Sequence, residues 1–205
     1  MNLSSHNLRK QRVWFNPDID HKSFKFAVFA DRDGNLLEHV DYLGDPERVE
    51  LLPGVKEAVQ SIVANQGAFF VLTNQSGVDR GYYSLSDVFA CNQRMLELMA
   101  IDYSQVAGCC IATGLPGGHD AYRKPSPRFI DESIRQFSLS RDYVHMIGDS
   151  AVDLETAQNA NVHGWLVANG KPQAVADHHA GNLPFDYSFK PDFASCIDSI
   201  LACSS

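Results

Sequence analysis

Apolar runs too short to be helices recur along this chain, at Phe26–Ala30, Ala68–Leu72, Val106–Ala112, Val144–Ile147 and Gly164–Ala168, and polar residues follow each one. Runs of this length bounded by turn signals read as strands buried on both faces, the kind found in parallel sheets. Segments with helical spacing lie between them. Val55, Val59, Ile62 and Val63 follow i, i+4, i+7, i+8 after Pro53-Gly54, and the pattern stops near Asn65-Gln66-Gly67. Ser84 is placed to cap a second helix, whose apolar face uses Leu85, Val88, Phe89, Met95 and Met99. Ser126-Pro127 opens a third with Ile130, Ile134 and Phe137 on one side, Ala151 to Asn161 is a fourth, and Phe193 to Leu201 a short last one. Strands alternating with helices predict an α/β fold, a doubly wound parallel sheet with helices on both faces.

In such sheets ligands bind beyond the carboxyl ends of the strands, so the residues to read are those that follow each run. Asp31 and Asp33 follow the first, in FAVFADRDGN. Thr73, Asn74 and Gln75 follow the second; Gly148, Asp149 and Ser150, with Asp153 close behind, follow the fourth. The connection TGLPGGHDAYRKP brings Arg123 and Lys124. Carboxylates at the end of a buried strand are costly unless a cation sits beside them. D-x-D-G alone is also a common turn; the functional reading rests on four segments converging. Mg²⁺ takes oxygen ligands, commonly one or two carboxylates plus water and phosphate, and Asp31 and Asp149 on neighbouring strands could supply them. The Thr73 hydroxyl, the Asn74 backbone N–H and the Lys124 ammonium could neutralise a transferring phosphoryl group. A carboxylate facing that group can attack it to form an aspartyl-phosphate. A second acid two residues away could protonate the leaving oxygen and later deprotonate water.

DRDGN, LTNQSGV, YRKPSP and IGDSAVD, in this order, resemble the four motifs of the haloacid dehalogenase-like phosphatases. The nearer resemblance is to the histidinol-phosphate and heptose-bisphosphate phosphatase group, where DRDG, TNQSG-x-x-RG, RKP and GD-x-x-x-D recur; it runs from about Phe26 to Lys171. The resemblance implies a Rossmann-like fold with Asp31 as nucleophile and Asp33 as acid/base. It also implies Mg²⁺ held by Asp31, by the Asp33 backbone carbonyl and by the Asp149 side chain. Thr73, Asn74 and Lys124 would hold phosphate, with Gln75 in support. Asp153 would orient Lys124 or a water of the metal, and Arg123 and Arg80 match positions where the family places arginines near the substrate. The segment from Leu36 to Leu52 is too short for a large cap domain, which leaves an open site.

Departures from the family bear on metal and substrate. Many relatives carry a structural zinc before RKP; the corresponding positions here are Ala112, Gly114, Asp120 and Tyr122, none of them the family's ligand, so zinc is not expected. The loop TGLPGGHD is short and glycine-rich, and is read as a mobile substrate gate. Ser150 stands where heptose-bisphosphate enzymes have GDK, which weakens a bisphosphate substrate; IGDSAVDLETAQNANVHG leans toward histidinol phosphate. Asn35 stands where Thr or Val is usual.

The expected function is therefore a Mg²⁺-dependent phosphomonoesterase acting on a small phosphorylated metabolite, of heptose-bisphosphate or histidinol-phosphate type. A polynucleotide 3′-phosphatase shares a TNQ and a YRKP of similar layout, and a silent phosphosugar-binding protein is a third reading. The net charge of −8 opposes a nucleic-acid partner, and the silent protein would be expected to lack Asp31 or Asp149. Residues 1–24 are read as an N-terminal extension without the apolar stretch of a secretory signal, and 25–205 as the phosphatase domain. Five cysteines without C-x-x-C spacing suggest reduced thiols in a cytoplasm; a monomer or small homo-oligomer with no membrane partner is expected.

Overall fold

FAVFA is buried at every position, which suits a strand in the middle of a sheet covered on both sides. In the computed structural model, which describes residues 11–20 and 24–203, it is the second of seven strands: β1 (Val13–Phe15), β2 (Phe26–Ala30), β3 (Gly67–Asn74), β4 (Gly108–Ala112), β5 (Val144–Gly148), β6 (His163–Val167) and β7 (Tyr187–Lys190). Six helices intervene: α1 (Val55–Ala64), α2 (Leu85–Met99), α3 (Arg128–Phe137), α4 (Ala151–Ala160), α5 (Pro172–His179) and α6 (Phe193–Cys203). The strand order is β1-β4-β3-β2-β5-β6-β7, with β1 antiparallel to β4 and every other pairing parallel.

Alternate residues of the central strands feed opposite cores. Phe26, Val28, Phe69 and Val71 meet α1, α2 and α6, whereas Ala27, Phe29, Phe70 and Leu72 meet α3 and α4. On the second face the Phe29 and Phe70 rings stack with centroids 4.3 Å apart, and Phe129 of α3 sets its edge on both at 5.9 and 6.1 Å. Ser84 caps α2 as its position suggests: its Oγ accepts from Asp87 N while Asp87 Oδ2 accepts from Ser84 N.

Three elements have no counterpart in the sequence reading. β1 lies within the segment read as an extension, of which 1–10 and 21–23 fall outside the described residues. It is a three-residue run, VWF, whose pairing with Gly108–Cys110 is non-local; Trp14 enters the first core and Phe15 packs 5.3 Å from Phe129 in the second. β7 and α5 lie in the tail; YSFK is short, and α5 buries only Ala174. The stretch from Leu36 to Leu52 forms no large cap. Leu36, Leu37, Leu43, Val49 and Leu52 are buried in the first core, and Leu37 bridges Leu51. All five cysteines are free thiols. Among the described residues no helix is long and apolar enough to cross a membrane.

Phe129 ties β1, β2 and β3 to α3. Phe129→Ala therefore lowers the unfolding free energy by about 3–5 kcal/mol, measured by urea titration; a loss below about 1 kcal/mol would show that this cluster collapses around the gap.

Candidate active site

The winding reverses at β2, with β3 and β4 on one side and β5, β6 and β7 on the other. Such a switch point opens a crevice beyond the strand ends. Asp31 and Asp149 are the residues that leave β2 and β5 there. The Asp31 N–H still bonds Ile147 O at 2.9 Å, so its backbone continues the sheet. Asn35 staples the two strand ends: its Nδ2 donates to Asp31 O at 3.0 Å and to Ile147 O at 3.1 Å. Gly34, at φ 80°, approaches so closely that a Cβ there would collide with the Asp149 carboxylate, and a Cβ on Gly170 would strike the same side chain.

Lys124 is 3% exposed, and its Nζ lies 2.8 Å from Asp31 Oδ1 and 2.6 Å from Asp153 Oδ1. Burial works against the ammonium, but Asp153 and Asp31 outweigh it and hold its pKa above the ordinary lysine range. Asn74 clamps the lysine's backbone, donating to Lys124 O at 3.2 Å and accepting from Lys124 N at 3.0 Å. Asp153 is pinned in turn, its Oδ2 accepting from Ser150 N and Ser150 Oγ at 3.1 and 2.5 Å.

Asp149 is fully buried, and neither of its oxygens has a hydrogen bond of ordinary geometry among the described residues. Lys171 is its nearest relief, with Nζ 3.9 Å from Oδ1. Burial, then Asp153, pushes the Asp149 pKa up to about 6, with Lys171 partly offsetting it. Burial likewise pushes Asp31 up to about 7 against the pull of Lys124, with Asp153 and Asp149 adding to the rise. Carboxylate oxygens of Asp31, Asp149 and Asp153 lie within 4.8 Å of one another. An all-oxygen cluster with an orphaned carboxylate fits a hard divalent cation.

The Asp33 carboxylate stands apart from that cluster. Arg32 grips it through Nε at 3.1 and 3.3 Å and Nη2 at 3.0 Å; Gln75 Nε2 donates to Oδ2 at 2.7 Å and Thr73 Oγ1 at 3.4 Å. The loop before Arg123 is fastened by one carboxylate. Asp120 accepts from the backbone N–H groups of Thr113, Gly114 and Tyr122, each at 3.1 Å, and pairs with Arg12 at 2.5 Å. The segment read as a mobile gate is thus tied at both ends, at a position the resemblance aligns with a zinc ligand.

Asp31, Asp33, Thr73, Asn74, Gln75, Arg123 and Lys124 all line one cavity of about 430 Å³. Arg123 also donates to Gly114 O at 2.9 Å. Arg80 is exposed on the turn after Ser76 and is not among the lining residues; it reaches Arg123 only through its charge, adding to the burial that lowers the Arg123 pKa. His39 and Lys171 line the cavity without having been singled out in the sequence, and Tyr42 and Tyr83 line it from the loops 41–48 and 78–83, where the sequence places substrate choice. Lys171 follows β6, so the strand-end rule would have found it.

Residues 121–201 match the family model described as HAD-hydrolase-like. The D-glycero-D-manno-heptose-1,7-bisphosphate 7-phosphatase of Thermosynechococcus vestitus is 31% identical over 182 residues, 82% of this chain and 88% of the relative. The D-glycero-β-D-manno-heptose-1,7-bisphosphate 7-phosphatase of Rhodopseudomonas palustris is 33% identical over 146 residues, 68% of this chain and 81% of the relative. A crystal structure of D,D-heptose 1,7-bisphosphate phosphatase from B. bronchiseptica, complexed with magnesium and phosphate, superposes with a TM-score of 0.76 at 26% identity, covering 86% of this chain and 98% of that one. The chain belongs to the haloacid dehalogenase-like phosphatases, enzymes that hydrolyse phosphoric monoesters.

Because folding raises both carboxyl pKa values, their stabilising contribution is full below the unfolded value of 3.8 and is lost as pH rises through about 6 and about 7. A divalent cation held by the ionised pair would offset that loss. Added MgCl₂ therefore raises the melting temperature more at pH 8 than at pH 5, read by scanning fluorimetry. Equal shifts at the two pH values would show that these carboxylates do not take the cation.

Proposed function

We propose that the chain is a Mg²⁺-dependent phosphomonoesterase that cleaves a small phosphorylated sugar of the heptose-bisphosphate class through Asp31. The observation that carries the reading is the state of the Asp31 carboxylate. Its Oδ1 accepts from Lys124 Nζ and from the Arg32 N–H, both at 2.8 Å, while Oδ2 has no hydrogen-bond partner among the described residues. One oxygen is held and the other is left to attack phosphorus.

Asp31, Asp149 and the Asp33 backbone carbonyl would hold the Mg²⁺, with Asp153 at the edge of the cluster. The ion supplies charge neutralisation for the phosphate oxygens. An ammonium has three N–H donors; Lys124 gives two to Asp31 and Asp153 and keeps one for a phosphate oxygen. Asn74 and Thr73 border the same pocket. As Asp31 Oδ2 bonds to phosphorus, the ester P–O bond breaks and Asp33 gives its proton to the departing alcohol. Asp33 then takes a proton from water, which attacks the aspartyl-phosphate and releases inorganic phosphate, regenerating Asp31.

The names of the relatives favour heptose bisphosphate over histidinol phosphate. Ser150 is occupied in binding Asp153, so the cations left in the cavity for a second phosphate are Arg123 and Lys171. The net charge of −8 supports small metabolites over nucleic acid.

Asp31→Asn lowers turnover by about 10³-fold or more with the protein still folded; full activity in that variant would end the mechanism. A panel of heptose 1,7-bisphosphate, histidinol phosphate and a 3′-phosphorylated oligonucleotide, assayed with Mg²⁺, tests the substrate class; a preference for either of the last two would replace it.

A further inference from the structure

Arg32 heads the fully buried side chains by size, at 0% exposure. A guanidinium out of water is retained only where its nitrogens find acceptors, and each of the three nitrogens here donates to one of two side chains. Nε and Nη2 fork onto Asp33, and Nη1 donates to Asn92 Oδ1 at 3.0 Å. Asn92 sits on α2, inside the core. Arg32 thus runs from the helix layer to the cavity floor and ends on the carboxylate read above as the acid/base. From the cavity side Gln75 Nε2 closes on the same carboxylate at 2.7 Å, and Tyr83 fixes the amide by donating its hydroxyl to Gln75 Oε1 at 2.7 Å.

We propose that Arg32, braced by Asn92, is the positioning residue for the acid/base Asp33. An aspartate on a turn, with its side chain 20% exposed, would otherwise exchange rotamers at the cavity wall. A planar fork sets the plane of a carboxylate as well as its place, which a point charge does not. Proton delivery to the leaving oxygen depends on that placement, whereas phosphate binding by Lys124 does not touch it.

The inference rests on the acid/base reading of Asp33, and leaving-group dependence separates the two. A sugar alkoxide needs a proton to depart; p-nitrophenolate does not. Arg32→Lys keeps the charge and loses the fork. It is expected to lower kcat/KM for heptose 1,7-bisphosphate about 10- to 100-fold, mostly in kcat, and to lower that for p-nitrophenyl phosphate far less. Asp33→Asn is expected to show the same split, more deeply. Should Arg32→Lys fail to fold, Asn92→Leu is expected to give the split in milder form and Asn92→Asp, which keeps the acceptor, to remove it. Equal losses on both esters, or none, in a folded Arg32 or Asn92 variant overturn the proposal while leaving the Asp33→Asn split standing. No split in Asp33→Asn overturns the acid/base reading itself.

Discussion

One buried lysine faces three buried carboxylates, and that imbalance governs the site. Lys124 neutralises Asp31 and Asp153 at 2.8 and 2.6 Å. Among the described residues Asp149 has no hydrogen bond of ordinary geometry on either oxygen, and a half-exposed lysine lies 3.9 Å away. Unpaired charge buried in a fold is among the costliest arrangements it can carry. Burial raises two of the pKa values, so the cluster favours protons, and once ionised it favours a cation. On the proposed reading, metal affinity is less a property added to the fold than the relief of a charge the fold has already placed.

The placement depends on small features at strand ends. Asp31 and Asp149 converge because β2 and β5 are neighbours, and Asn35 holds their tips together through two carbonyls. Two glycines, 34 and 170, leave room for the Asp149 side chain where any Cβ would exclude it. Asn74 clamps the backbone of Lys124 across 50 residues of sequence, so the ammonium reaches Asp31 from a fixed base. None of these contacts contributes much stability alone. Each removes a freedom that the charged groups would use to move apart.

Much of this was legible because buried parallel strands announce themselves and ligands collect at their carboxyl ends. Phe26–Ala30 was bounded to the residue, and Ser84 marked a helix start that the structure repeats. The convergence of Asp31, Thr73, Asn74, Lys124 and Asp149 follows from strand order alone. What the sequence could not show is pairing across the fold. VWF is too short to read as a strand until Gly108–Cys110 lies beside it. Asn35 looked like an unexplained substitution because its carbonyl partners belong to two strands. Asp120 was weighed only as a missing zinc ligand, yet it gathers three backbone N–H groups and Arg12. Arg32, inside the first motif, carried no signal of its own, since a charge between two aspartates reads as a solvated turn.

Arg32 also answers how two aspartates separated by one residue can serve different steps. Both lie past Ala30, the last residue of β2, where the alternation that would put i and i+2 on one face no longer holds, and the partners that meet them differ in kind. Asp31 is wired to Lys124, Asp153 and the cation cluster; Asp33 is wired to Arg32, Gln75 and Thr73. Among the described residues the two networks share no side chain, and Arg32 touches Asp31 through its backbone N–H alone. A nucleophile needs an ionised oxygen beside a neutralised phosphate, whereas an acid/base must gain and lose a proton without disturbing the metal. Giving each carboxylate its own buried cation keeps the second event from perturbing the first. On the proposed reading, the apparently redundant charge in DRDG is what allows one short turn to hold both roles.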